Sequence, residues 1–119
     1  MFNSNKPIIQ IAYGVEDIVT EAEKWSNRFN IGPFYYNKHI EVSESKINGI
    51  EKKFDHSSAY GWKENFMIEL INDHSKVNPY NNGIHHIAWI ADDFLQESEE
   101  LKKQDCKEVL FARAGDRNG

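Results

Sequence analysis

Apolar and polar positions change period several times along the chain, and each change marks an element. Pro7 to Val15 is short and rich in β-branched residues, the pattern of a strand. Ile18, Ala22, Trp25 and Phe29 then recur at spacings of four, three and four, which predicts a helix with one apolar stripe. Asp17 stands at the N-cap position of that helix, and Gly32-Pro33 closes it. Phe34 to Val42 predicts a second strand, Ser43 to Asn48 with Gly49 a turn, and Glu51 to Tyr60 a less apolar strand. Gly61 to Asn65 turns the chain into Phe66-Met67-Ile68-Glu69-Leu70-Ile71, a strong strand. Asn72 to Gly83 carries Asp, Ser, Pro and four Asn, and reads as a linker. Ile84 to Ala91 predicts another strand. Asp93 begins a second helix, with Gln96 three residues on as in a capping box. Val109-Leu110-Phe111 is a last short strand. The predicted order is β-α-β-β-β, then β-α-β.

That order suggests an internal repeat. Gln10-Ile11-Ala12-Tyr13-Gly14-Val15-Glu16-Asp17-Ile18 aligns without gaps on His86-Ile87-Ala88-Trp89-Ile90-Ala91-Asp92-Asp93-Phe94, an offset of 76. Ile falls on Ile, Ala on Ala, aromatic on aromatic, and one helix cap on the other. The same offset puts Ala22 on Ser98, Trp25 on Leu101, and Phe34-Tyr35 on Leu110-Phe111. Two amphipathic βα units can look alike by chance. Agreement in register across strand, cap and helix favours duplication.

Composition narrows the function classes. A chain of 119 residues fits one domain, 7–119. Fourteen Lys and Arg against 19 Asp and Glu give a net charge of −5, which argues against a phosphate-backbone binder and hence against a nucleic-acid partner. Hydrophobic residues at 39% and aromatics at 13% can supply a core. No apolar run approaches the ~20 residues of a membrane span, and the first residues carry no long apolar stretch of a leader. The single cysteine, Cys106, excludes an internal disulfide framework and a Cys-rich zinc site, and no catalytic signature surrounds it. A cytoplasmic globular protein is expected, without a membrane partner.

Taken together, Ile9 to Asp17, Ile31-Gly32-Pro33-Phe34, Met67 to Ile71, and Gly83-Ile84-His85-His86-Ile87-Ala88-Trp89 with Asp92-Asp93 downstream resemble the vicinal oxygen chelate superfamily. This is the group of glyoxalase I, methylmalonyl-CoA epimerase, extradiol dioxygenases and bleomycin-resistance proteins. The glyoxalase-like and epimerase-like branch is the nearest in flavour. The resemblance implies an α+β fold of paired βαβββ modules whose sheets form a cup with a divalent metal on its floor. Here the first module would be 7–72, the linker 73–83, and the second module, 84–119, incomplete as βαβ. The superfamily draws one ligand from the first and one from the last strand of each module. Gln10, Glu69 and His86 occupy three of those positions. The fourth, Glu69 carried forward by 76, falls at position 145, beyond the sequence.

Strand period supports a shared face for these residues. Ile8, Gln10 and Ala12 alternate with Ile9, Ile11 and Tyr13; Ile84, His86 and Ala88 alternate with His85, Ile87 and Trp89. Met67, Glu69 and Ile71 share one side of their strand, with Phe66, Ile68 and Leu70 packing under the helix. A carboxylate set among apolar residues is costly to bury unless paired or metal-bound. One imidazole with carboxylate and amide oxygens suits Zn, Ni, Co or Mn. The plainer alternative is that Glu69 and His86 are strand residues hydrogen-bonded to each other. By parity His85 lies on the wrong face, and His39, His56 and His74 sit in polar stretches as surface histidines.

Phe34, Tyr36, Tyr60 and Trp62 are candidates to wall a pocket. The resemblance implies an isomerase, epimerase or lyase that stabilises an enolate on a small oxygenated or thioester substrate, with Glu69 as ligand or base. A metal-free binding protein of the bleomycin-resistance type, or an inactive truncated member, are the other readings. An unpaired strand edge in the second module predicts a homodimer.

Overall fold

The computed structural model describes residues 6–77 and 83–114. Within them the chain runs β1 (Gln10–Gly14), α1 (Ile18–Phe29), β2 (Tyr35–Asn37), β3 (Val42–Ile47), β4 (Ile50–Glu51), β5 (His56–Lys63), β6 (Phe66–Asp73), β7 (Gly83–Ala88), α2 (Phe94–Lys103) and β8 (Leu110–Ala114). The expected α+β class holds. One sheet has the order β2-β5-β6-β1-β7, with β6 parallel to β1 and the other neighbours antiparallel. A smaller antiparallel sheet has the order β4-β3-β8.

α1 forms where its apolar stripe predicts. Asp17 Oδ1 accepts from the Thr20 N–H at the start, and Asn30 ends it in the left-handed conformation. The stripe packs on one face of β5 and β6. Val15, Ile18, Ile31, Ala59, Ile68 and Leu70 form the buried cluster there, flanked by Tyr13, Ala22, Trp25, Phe34 and Phe66. Phe34 presses on the backbone of β5 at Gly61, where an added Cβ would lie 2.8 Å from the Phe34 ring. Only glycine allows that approach.

α2 begins at Phe94, 76 positions after the start of α1 at Ile18, and Asp93 caps it through the Gln96 N–H. Unlike α1, it buries none of its residues. β8 covers the segment that the repeat places on β2, yet it pairs with β3 and not as β2 does with β5.

Four expected elements change. Ser43 to Asn48 is no turn but most of β3, laddered to β8 with Lys46 opposite Phe111 and Ile47 opposite Leu110. Its polar residues have internal partners: the buried Ser45 hydroxyl donates to the Lys52 carbonyl and accepts from the Phe54 N–H. The turn itself is Asn48-Gly49, at φ 52° and 80°, the pairing that a two-residue hairpin loop favours. The strand expected over Phe34 to Val42 is interrupted at His39, whose φ is 44°. The less apolar strand expected from Glu51 starts at His56. The expected linker begins inside β6, which runs to Asp73, and residues 78–82 of it lie outside the described residues.

Candidate metal-binding site on the sheet floor

Cross-strand register sets Tyr35, Tyr60, Glu69, Ala12 and His86 in one row across all five strands. The neighbouring row holds Trp62, Met67, Gln10 and Ala88. Residues opposite one another share a face, so Gln10, Glu69 and His86 converge on the side away from α1. The alanines at 12 and 88 leave room between the longer side chains.

His86 Nε2 lies 3.1 Å from Gln10 Oε1 and 3.3 Å from Glu69 Oε1. Each of the three is fixed by a further contact. Gln10 turns its amide nitrogen to Met67 Sδ at 3.0 Å, which leaves its oxygen toward His86. The fully buried Ser58 donates its hydroxyl to Glu69 Oε2 at 2.6 Å. Glu69 itself is 4% exposed. Burial pushes its carboxyl up, but hydrogen bonds from His86 and Ser58 outweigh that and hold it below its ordinary range. Burial, and then the Glu69 charge, push the Tyr60 phenol above its ordinary range, so it stays a neutral donor.

The strand period misplaces His85. Ala12 pairs with His86 while Tyr13 pairs with Ile84, so β7 carries an extra residue at this point, a bulge. The bulge turns the His85 ring to its neighbour. The two Nδ1 atoms lie 2.8 Å apart, and His85 Nε2 lies 3.1 Å from Asp73 Oδ2. His85 and Asp73 have side chains 8% and 1% exposed. A chain Asp73–His85–His86, its first two members buried, therefore stands behind the site. Neither Ser58 nor this chain was singled out from sequence. Ser58 has a readable signal in register, two residues from Tyr60 on the same strand face; the bulge has none.

The aromatic candidates divide. Tyr60 and Trp62 share the site face, and Tyr35 joins them, its ring 6.5 Å from that of Trp62 in an edge arrangement. Tyr36 pairs with Ala59 and so points to the opposite face, and Phe34 packs in the core beneath α1. His56 is half-buried and stacks on Phe54 at 4.5 Å, not free on the surface. Burial holds its imidazole below the ordinary range. Cys106 is exposed.

His86 also lines a cleft of about 680 Å³ between β7, α2 and β8. Ile87, Trp89, Phe94, Leu101, Leu110 and Phe111 make its walls mainly apolar. No helix among the described residues is long and apolar enough to cross a membrane.

A family model described as Glyoxalase/Bleomycin resistance protein/Dioxygenase superfamily matches residues 9–119. No curated protein matches the chain.

Proposed function

The chain belongs to the Glyoxalase/Bleomycin resistance protein/Dioxygenase superfamily, and on that premise we propose that Gln10, Glu69 and His86 hold a divalent metal for an isomerase, epimerase or lyase reaction. The observation that carries this reading is the convergence of Gln10 Oε1 and Glu69 Oε1 on His86 Nε2, at 3.1 and 3.3 Å. Two oxygens and one imidazole nitrogen suit Zn, Ni, Co or Mn.

The surrounding contacts support the donor set. A ligating His86 must keep Nε2 free of a proton and carry it on Nδ1. In that tautomer Nδ1–H donates to His85 Nδ1, and His85 Nε2–H donates to Asp73, so the chain satisfies the other three ring nitrogens and leaves His86 Nε2 for the cation. The Gln10 oxygen is aimed by the Met67 contact, and Glu69 keeps Oε1 for the site while Oε2 accepts the hydrogen bond of the Ser58 hydroxyl.

Bound there, a divalent cation would supply Lewis-acid charge stabilisation to the adjacent oxygens of a small oxygenated or thioester substrate. The resemblance gives Glu69 a second role in place of ligation: with Oε1 off the cation, the ionised carboxylate would take a proton from the carbon beside a carbonyl. Tyr60 remains a hydrogen-bond donor beside it, and Tyr35 and Trp62 offer aromatic walls. The test is proton exchange with deuterated water at the carbon next to the carbonyl. α-Hydroxycarbonyl and acyl-thioester compounds would be followed by NMR with each of the four metals. Exchange that disappears in Glu69→Gln supports the reading; no exchange with the metal bound overturns it.

A metal-free binding protein of the bleomycin-resistance type is the second reading. It is favoured by the apolar cleft beside His86 and by the hydrogen bonds that the three residues already make with each other.

A further inference from the structure

His39, Asp55 and His74 gather at one end of three neighbouring strands. His39 follows β2, Asp55 precedes β5 and His74 follows β6, and the order β2-β5-β6 brings these ends together. One candidate ligand atom from each of the three lies within 4.8 Å of the others. His39 Nδ1 lies 2.9 and 3.0 Å from the two Asp55 oxygens. The two imidazoles stack at 4.5 Å between centroids and 22° between planes, which sets their edges side by side.

The backbone is held to make this arrangement. His39 adopts a left-handed φ of 44°, unfavourable for a residue with a Cβ, and its N–H donates to Ser57 Oγ at 2.9 Å. The same Ser57 hydroxyl contacts His74 Nε2 at 2.8 Å, tying the His39 backbone and the His74 ring to one anchor. Ser75 Oγ accepts from the Asp55 N–H at 2.8 Å and fixes the third member. Two histidines and a carboxylate match a borderline divalent cation, not an anion, which the carboxylate would repel. Tetrahedral ligands at about 2.0–2.1 Å from a zinc ion stand roughly 3.4 Å apart, within reach of these atoms by small side-chain rotations. With His39 exposed, a remaining coordination position would face water.

We propose that His39, Asp55 and His74 form a second divalent-cation site, for a zinc, nickel or cobalt ion, independent of Gln10, Glu69 and His86. The test uses the full chain stripped with a chelator and carrying Glu69→Ala and His86→Ala, so that the fate of the first site does not enter. Zinc is added while imidazole resonances are followed by NMR and uptake by calorimetry. The expected result is one equivalent bound, with the His39 and His74 ring signals shifting together. Asp55→Asn, which keeps shape, and His74→Gln should each weaken binding at least tenfold while circular dichroism stays unchanged. No uptake, or uptake unaffected by both variants in folded protein, overturns the proposal. If the double-alanine chain does not fold, wild type and His74→Gln are compared directly. One equivalent fewer in the variant supports the site, and equal uptake overturns it.

Discussion

Gln10 and His86 are 76 residues apart in sequence and meet side by side, with 3.1 Å between Oε1 and Nε2. The contact follows from the antiparallel pairing of β1 with β7. Ile11 pairs directly with Ile87, its own equivalent 76 positions on, while Gln10 pairs with Ala88 and Ala12 with His86. β1 and β7 are thus related about a local two-fold axis through the Ile11–Ile87 pair. Whatever side chain stands at position 10 is brought against its counterpart at position 86.

Ser58→Ala should destabilise the fold by about 1–3 kcal/mol, since it removes a buried donor from a charged acceptor. It should also raise the Glu69 pKa, because a hydrogen bond to the ionised form is lost. Urea denaturation checks the first effect, and carboxyl NMR titration the second. Unchanged stability with an unmoved Glu69 would show that the hydroxyl does not hold the carboxylate.

Acid should erode the Glu69 contribution. Its folded-state pKa lies below the ordinary 4.5, so its stabilisation is complete above that value and is lost as pH falls through the folded pKa. The stability gap between wild type and Glu69→Gln should therefore narrow as pH drops below about 4.5. Denaturation midpoints of the two proteins across this range test the point; a gap that stays constant or widens contradicts it.

Gly61→Ala should cost about 1–3 kcal/mol, because the new methyl meets the Phe34 ring at 2.8 Å and one of them must move. Thermal unfolding with Phe34→Leu as a second variant checks the cause. If the ring is the obstacle, the smaller side chain recovers part of the loss.

β7 is the last strand of its sheet among the described residues, with Ile84 exposed along it. An unpaired apolar edge invites a partner, and the proposed partner is a second copy. The protein should sediment at twice the 13.9 kDa of one chain, and Ile84→Lys should shift it toward the monomer. A wild-type monomer at assay concentration would refute the dimer.

Much of this was readable beforehand. Asp17 and Asp93 marked both helix starts because a cap is a local signal. The convergence of Gln10, Glu69 and His86 followed from strand parity once the resemblance had placed them. What failed was non-local. Ser43 to Ile47 is polar yet forms a strand because β3 pairs with a strand more than sixty residues away, and propensity cannot see that partner. His85 crossed to the site because a bulge broke the period of two, and Tyr36 fell on the far face because only its pairing with Ala59 set the parity. The His39–Asp55–His74 group had no sequence spacing to announce it, only three strand ends brought together by topology.

The most direct test of the central claim is calorimetric metal titration of the chelator-stripped protein, wild type against His86→Ala. The variant should bind one equivalent fewer of Zn, Ni, Co or Mn while keeping its fold by circular dichroism. Equal uptake by the two folded proteins would contradict it.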